Sequence, residues 1–215
     1  MAERSVSMKQ NNEPIALNAD GFNPVNVFVK NIDFDGMEVL RITKDPIIKA
    51  FDESTYARLI GSEFQNGIIE VKVLSRLLPD APEFARGFIG VAFRIDTSNT
   101  NFEALYIRPT NGRSKDQLRR NRSVQYFSYP NYKFDRLRAE CPGKYESYAD
   151  MGLDEWIDLK IEVEGKCAKL YLHHLAHPIL VVNDLKHGAD KKGAIGLWVD
   201  VGTEGFFKDL RIASC

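Results

Sequence analysis

Short runs of β-branched and aromatic residues recur along almost the whole sequence, each closed by glycine, proline, asparagine or aspartate. Period-two alternation inside the runs, with turn chemistry between them, specifies strands joined by tight connections. The runs fall at 25–29, 37–42, 56–59, 68–74, 88–95, 102–108, 123–128, 156–163, 168–173, 179–182, 195–199 and 206–212. Between them stand DFDG at 33–36, QNG at 65–67, EGK at 164–166, DKKG at 190–193 and GTEG at 202–205, all turn-forming combinations. No long 3.6-residue repeat competes with this pattern. DEST at 52–55 and SKDQLRR at 114–120 each offer one helical turn. Strands in this number without crossover helices must pair antiparallel. A two-sheet jelly roll sandwich manages their edges best, so the fold expected is all-β.

At 215 residues the chain suits one domain, and 44% hydrophobic residues supply one sizeable core. No linker or fixed-period repeat divides it. We expect a flexible tail over residues 1–14 and a single jelly roll over 15–215. The start, MAERSVSMKQNNEPIALNADGF, has no apolar segment of the secretory type. The protein as numbered is therefore expected in the cytoplasm, or outside it if a signal was removed. No run has the ~18 apolar residues of a membrane span. Cys141, Cys167 and Cys215 lie far apart with no C-x-x-C spacing, so neither a zinc ribbon nor a redox pair is expected. Cys167 is expected to pack in the core and Cys215 to be exposed.

One segment departs from the rest in charge. Residues 106–138 hold nine Lys or Arg against two acids, a local excess of seven, in a chain whose net charge is -1. A nucleic-acid arm would mix arginine and aromatics in this way, but the remainder is acidic and the strand pattern is not that of an RNA-binding fold. For Lys115, Arg119, Arg122 and Lys133 a solvated rim is the simpler expectation. The flanking strands carry more specific chemistry. A sandwich buries one face of each sheet and wets the other. Alternation in FIGVAFRI and FEALYIRP then places Arg94, Tyr106 and Arg108 together on a wet face. Gly90 and Ala92 beside Tyr106 would leave a depression there. With Asn111, Gln125 and Tyr126 these form the expected ligand site. Guanidinium and amide groups bond sugar hydroxyls or carboxylates in pairs, and aromatic rings pack on pyranose faces. Arg108→Ala is therefore expected to cost the fold under ~0.5 kcal/mol and to weaken saccharide binding by ~1.5–3 kcal/mol.

FEALYIRPTNGR, RRNRSVQYFSYPNYKFDRLR, PGKYE, Trp156 and GAIGLWVDVGTEGFFKDLRI together resemble one family. It is the concanavalin A-like jelly roll domain labelled 3-keto-disaccharide hydrolase, a laminarinase-like domain of unknown function. The resemblance runs from about residue 55 to the C-terminus, with IGSEFQNGIIEVKVL as its first marker. It implies a jelly roll, an oligo- or polysaccharide ligand compatible with an acidic sugar, and glycoside hydrolase-like activity. The alternative is a lectin-like protein–protein interaction domain without catalysis.

Catalytic signatures are weak. Retaining glycosidases need two carboxylates ~5–5.5 Å apart, and the laminarinase-like E-x-D-x-x-E is absent. So are the R-x-E-x-R and Q-x-H of alginate lyases. Asp158, Glu162 and Glu164 read as the solvent face of an edge or outer strand. Glu103 and Glu146 are the only candidate acid–base pair. Alternation turns Glu103 inward, where Arg136 or Arg138 would be its partner. LHHLAHP sets His173, His174 and His177 in a strand and turn rather than on a helix, and with His187 they are expected exposed, binding no metal. No cofactor motif is present; DTSNTN at 96–101 offers oxygen ligands for a structural calcium. No nucleic acid or membrane partner is expected, and oligomeric state is open.

Overall fold

The computed structural model describes residues 14–214; the expected tail up to residue 13 and Cys215 lie outside them. The chain forms a two-sheet antiparallel jelly roll. In chain order the strands are β1 (Phe22–Val25), β2 (Val27–Phe34), β3 (Met37–Lys44), β4 (Tyr56–Leu59), β5 (Gly67–Leu77), β6 (Ile89–Ile95) and β7 (Phe102–Ile107). There follow β8 (Val124–Tyr129), β9 (Glu146–Ser147), β10 (Ile157–Glu164), β11 (Cys167–Leu172), β12 (Leu180–Val182), β13 (Ala194–Val199) and β14 (Thr203–Ser214). Three short helices interrupt them: α1 (Pro109–Gly112), α2 (Gln117–Arg120) and α3 (Phe134–Glu140). The first sheet runs β1-β4-β13-β6-β7-β8-β9 and the second β12-β11-β10-β5-β14-β3-β2.

The second sheet obeys simple alternation. Ile69, Val71 and Val73 of β5 stand opposite Ile161, Leu159 and Ile157 of β10 and face the core. Glu70, Lys72, Asp158, Lys160 and Glu162 face outward, so β10 has the expected charged solvent face. It lies between β5 and β11, however, and is not an edge. Cys167 does not enter the core: Ala168 takes the inward position and Cys167 is half-buried. DEST forms no helix, whereas α2 lies within the 114–120 segment.

The first sheet breaks the alternation rule. Every residue of β6, β7 and β13 is buried. Its inner face, with Val91, Leu105 and Leu197, packs against the second sheet. Its outer face is not wet, because residues 51–55 and α3 fold over it. Tyr56, Phe102, Tyr106, Phe127 and Trp198 pack there in mainly edge-on or tilted pairs, a geometry that suits aromatic quadrupoles. The expected depression at Gly90 is filled. Tyr106 and Trp198 flank Gly90 in register and their ring centroids meet at 4.8 Å. A Cβ on Gly90 would lie 2.6 Å from Tyr106 Cα, so only glycine admits this packing.

Candidate functional site

The aromatic layer ends at a cavity of ≈ 340 Å³, lined among others by Arg86, Tyr106, Arg108, Asn111, Arg119 and Asp52. The cavity gathers the end of β7, the α1–α2 loop region, α3, and the turn after β13. Pro109 starts α1 directly after Arg108, as its fixed φ allows at a helix start. Asn111 is held by donating to Arg122 O at 3.0 Å and accepting from Arg119 Nε at 2.8 Å.

Arg108 is 5% exposed. One amino group donates to Tyr106 Oη at 2.6 Å and Gln125 Oε1 at 3.2 Å. The other donates to Arg122 O at 3.1 Å and meets Glu146 Oε1 at 3.4 Å. The expectation of an exposed Arg108 whose loss the fold tolerates is therefore overturned: it is built into the wall, and removing it would strand buried acceptors. Glu146 also pairs with Arg122 and Arg138, so one buried carboxylate serves three guanidiniums.

Two arginines have no such partner. Arg86 donates only to the backbone carbonyls of Glu83 and Ala85, at 2.6 and 2.8 Å. Arg119 bonds Asn111 and Thr110. Neither forms an ion pair among the described residues. Burial holds the Arg86 guanidinium below its ordinary value, and the neighbouring Arg119 and Arg108 push it further the same way. Five arginines line the cavity: 86, 108, 119, 122 and 138.

Two acids of the cavity, Asp52 and Asp200, lie together. Asp200 Oδ1 accepts from Lys44 Nζ at 2.5 Å, a buried ion pair that offsets its charge. Burial raises the Asp200 carboxyl against this partner. Asp52 is fully buried. Desolvation first, and Asp200 second, raise its carboxyl to about 7. Asp116 caps α2 by accepting from Leu118 N and Arg119 N. With Asp52 protonated and Asp200 paired to Lys44, the five guanidiniums are balanced only by Asp116 of the lining and Glu146 behind it, an excess of three positive charges. Phe84 and Leu118, 51% and 58% exposed, stand at the rim.

The structure brings Tyr106, Arg108 and Asn111 into this cavity, with Gln125 buried behind Arg108. It sends two expected residues elsewhere. Arg94 lies at a bulge where β6 leaves register with β13, at φ 55°. Its guanidinium donates to the carbonyls of Gln65, Gly165 and Gly188 and to Asn66 Oδ1, and is 3% exposed. Tyr126 faces the core and donates to Glu103 Oε2 at 2.5 Å. Glu103 also accepts from His187 N at 2.8 Å, so its partners are a tyrosine and a backbone amide, not Arg136 or Arg138. Glu103 opposes Ser128 while Glu146 opposes Gln125, three residues away on β8. The two glutamates therefore lie on opposite faces of the sheet and form no acid–base pair. Sequence reasoning missed Asp52, Asp200 and Arg86, and left Arg119 and Arg122 on a solvated rim. The charge excess of residues 106–138 was the available signal for the last two.

His173, His174 and His177 are exposed, as expected, but His187 is half-buried, with Nε2 2.9 Å from Tyr129 O. No cluster of three metal-binding side chains occurs among the described residues. In the 96–101 turn the Asp96 carboxylate already accepts from Thr100 N, Thr100 Oγ1 and Asn101 Nδ2.

No protein-family model and no curated protein sequence matches the chain. Solved structures share its fold at low identity. The carbohydrate binding module CBM66 from Bacillus subtilis superposes with a TM-score of 0.61 at 15% identity, over 90% of this chain and 96% of that one. A galectin-like protein of unknown function from the same organism gives 0.55 at 12%, over 91% and 90%. A proposed glycosyl hydrolase from Parabacteroides distasonis gives 0.54 at 12%, over 92% and 90%. These likenesses show the jelly roll sandwich.

Proposed function

We propose that this protein binds an acidic saccharide, with a uronate or sulfate-bearing sugar held in the arginine-lined cavity. One observation carries the reading. Arg86 and Arg119 stand in the same half-buried cavity as Arg108 with no carboxylate of their own. Like charges gathered without compensation raise the free energy of the empty site, and an anionic ligand relieves it. Exposed Phe84 at the rim gives a sugar ring an apolar surface to pack on. The jelly roll shared with a carbohydrate binding module is compatible with this use. Binding rather than cleavage is the function proposed. The hydrolase expectation rests on the sequence motifs of the 3-keto-disaccharide family, and its candidate glutamates lie on opposite sheet faces.

The interaction-domain reading has one observation of its own. The outer face of the second sheet carries the pairs Lys72–Asp158 and Lys160–Glu162, a self-compensated charged surface. An array of neutral, uronate-bearing and sulfated oligosaccharides separates the readings. Acidic glycans are expected to bind, more weakly at high salt. Arg119→Ala should weaken them about tenfold or more, the ~1.5–3 kcal/mol of a charge-assisted hydrogen bond. Equal retention by wild type and Arg119→Ala would remove the cavity from the account.

A further inference from the structure

Asp52 is an acid in the wall of a cavity lined by five arginines. Its backbone adopts φ 50°, a left-handed conformation that aspartate tolerates better than most residues. Its N–H donates to Asp200 Oδ2 at 2.9 Å, and its Oδ2 accepts from Phe134 N at 2.7 Å. Oδ1 has no hydrogen-bond partner among the described residues. The side chain is thus 1% exposed, anchored through one oxygen, and part of the cavity lining, with the other oxygen unpartnered.

The charged and titratable groups around Asp52 come from every element packed on it. Asp200, from the β13–β14 turn, is neutralised by Lys44 of β3. Lys133, ahead of α3, is paired with Glu53. Arg108 lies at the end of β7 over Tyr106, and Arg86, Arg119, Arg122, Arg138 and Asp116 complete the cavity. No histidine lines it.

We infer that anion capture in this cavity is coupled to a proton on Asp52: Oδ1 carries the proton and donates it as a hydrogen bond to the anionic group of the ligand. This rests on the reading of the cavity as an anion site and adds its pH dependence. An ionised Asp52 would set a second carboxylate against the bound anion in a desolvated space. The protonated carboxyl removes that repulsion and supplies a donor, while Phe134 N–H stays on Oδ2. Burial and Asp200 already hold the carboxyl near 7, so the neutral form is accessible near neutral pH. The proton comes from solvent as the anion binds and returns on release; no bond other than O–H is made or broken.

The test is isothermal titration of the full chain with trigalacturonate and, separately, inorganic sulfate, at pH 6 and pH 8, in buffers of differing ionisation enthalpy. Both probes keep constant charge across this range. Affinity is expected to fall about tenfold from pH 6 to pH 8, with close to one proton taken up per anion at pH 8. Asp52→Asn should abolish both effects. If that variant does not fold, the buffer series on wild type decides alone. An anion that binds equally at both pH values, with no proton uptake, overturns the coupling and leaves the anion site standing. If neither anion binds at either pH, the anion site and the coupling fail together.

Discussion

Arg94→Ala is expected to destabilise the protein by about 3 kcal/mol or more. The side chain was expected from sequence to meet a ligand on a wet face, but it ties three loops together. Its guanidinium reaches the carbonyls of Gln65, Gly165 and Gly188, at 2.8, 2.8 and 2.7 Å. These belong to the β4–β5 connection, the β10–β11 turn and the segment before β13. Alanine would leave those oxygens buried with no donor. Lysine carries one compact ammonium in place of the planar fork and should recover only a small part of the loss. Urea denaturation measures the effect, and acidic-glycan affinity per folded molecule should stay unchanged. A loss below about 1 kcal/mol would mean that the loops hold together without this clamp.

Asp52→Asn is expected to reshape the pH dependence of stability. The folded-state carboxyl titrates at about 7, above its ordinary value of 3.8. The folded state therefore holds a proton that the unfolded chain releases between those values. Stability contributed by that proton is full below about pH 4 and is lost as pH rises through about 7. A shift of this size corresponds to about 4 kcal/mol. Asn keeps an oxygen for Phe134 N–H and never ionises, so its stability should vary much less over this range. The variant should then exceed wild type at pH 8. A fall in wild-type stability that survives unchanged in Asp52→Asn would assign the titration to Asp200 instead. An acid kept at this cost, beside a cavity, fits the concentration of perturbed groups at functional sites.

The strands were legible because alternation is a local property. Ile69, Val71 and Val73 against Glu70 and Lys72 state both the strand and its buried face. The outer face of the first sheet was not legible by the same rule. Gly90 and Ala92 beside Tyr106 looked like a shallow wet surface, because nothing local shows that residues 51–55 and α3 return to cover it. Their signal was compositional. A wet face carries charges at such positions, whereas Trp198, Tyr106 and Phe127 share this one. Arg94 and Arg108 were indistinguishable in sequence, each an arginine at or near the end of an apolar run. A bulge against β13 turned one into a loop clamp, and Pro109 with α1 set the other into a cavity wall. The role of Asp52 was not legible, since its properties come first from burial and then from Asp200, 148 positions away.

The central claim is that acidic saccharides enter the arginine-lined cavity. An NMR titration of the full chain with trigalacturonate, read on the arginine Nε–H and lysine Nζ signals, tests it most directly. The account predicts saturable shifts concentrated on Arg86, Arg108 and Arg119, with Arg94 and the outer face of the second sheet unmoved. Shifts confined to Lys72 and Lys160 on that outer face, with the cavity arginines silent, would contradict it.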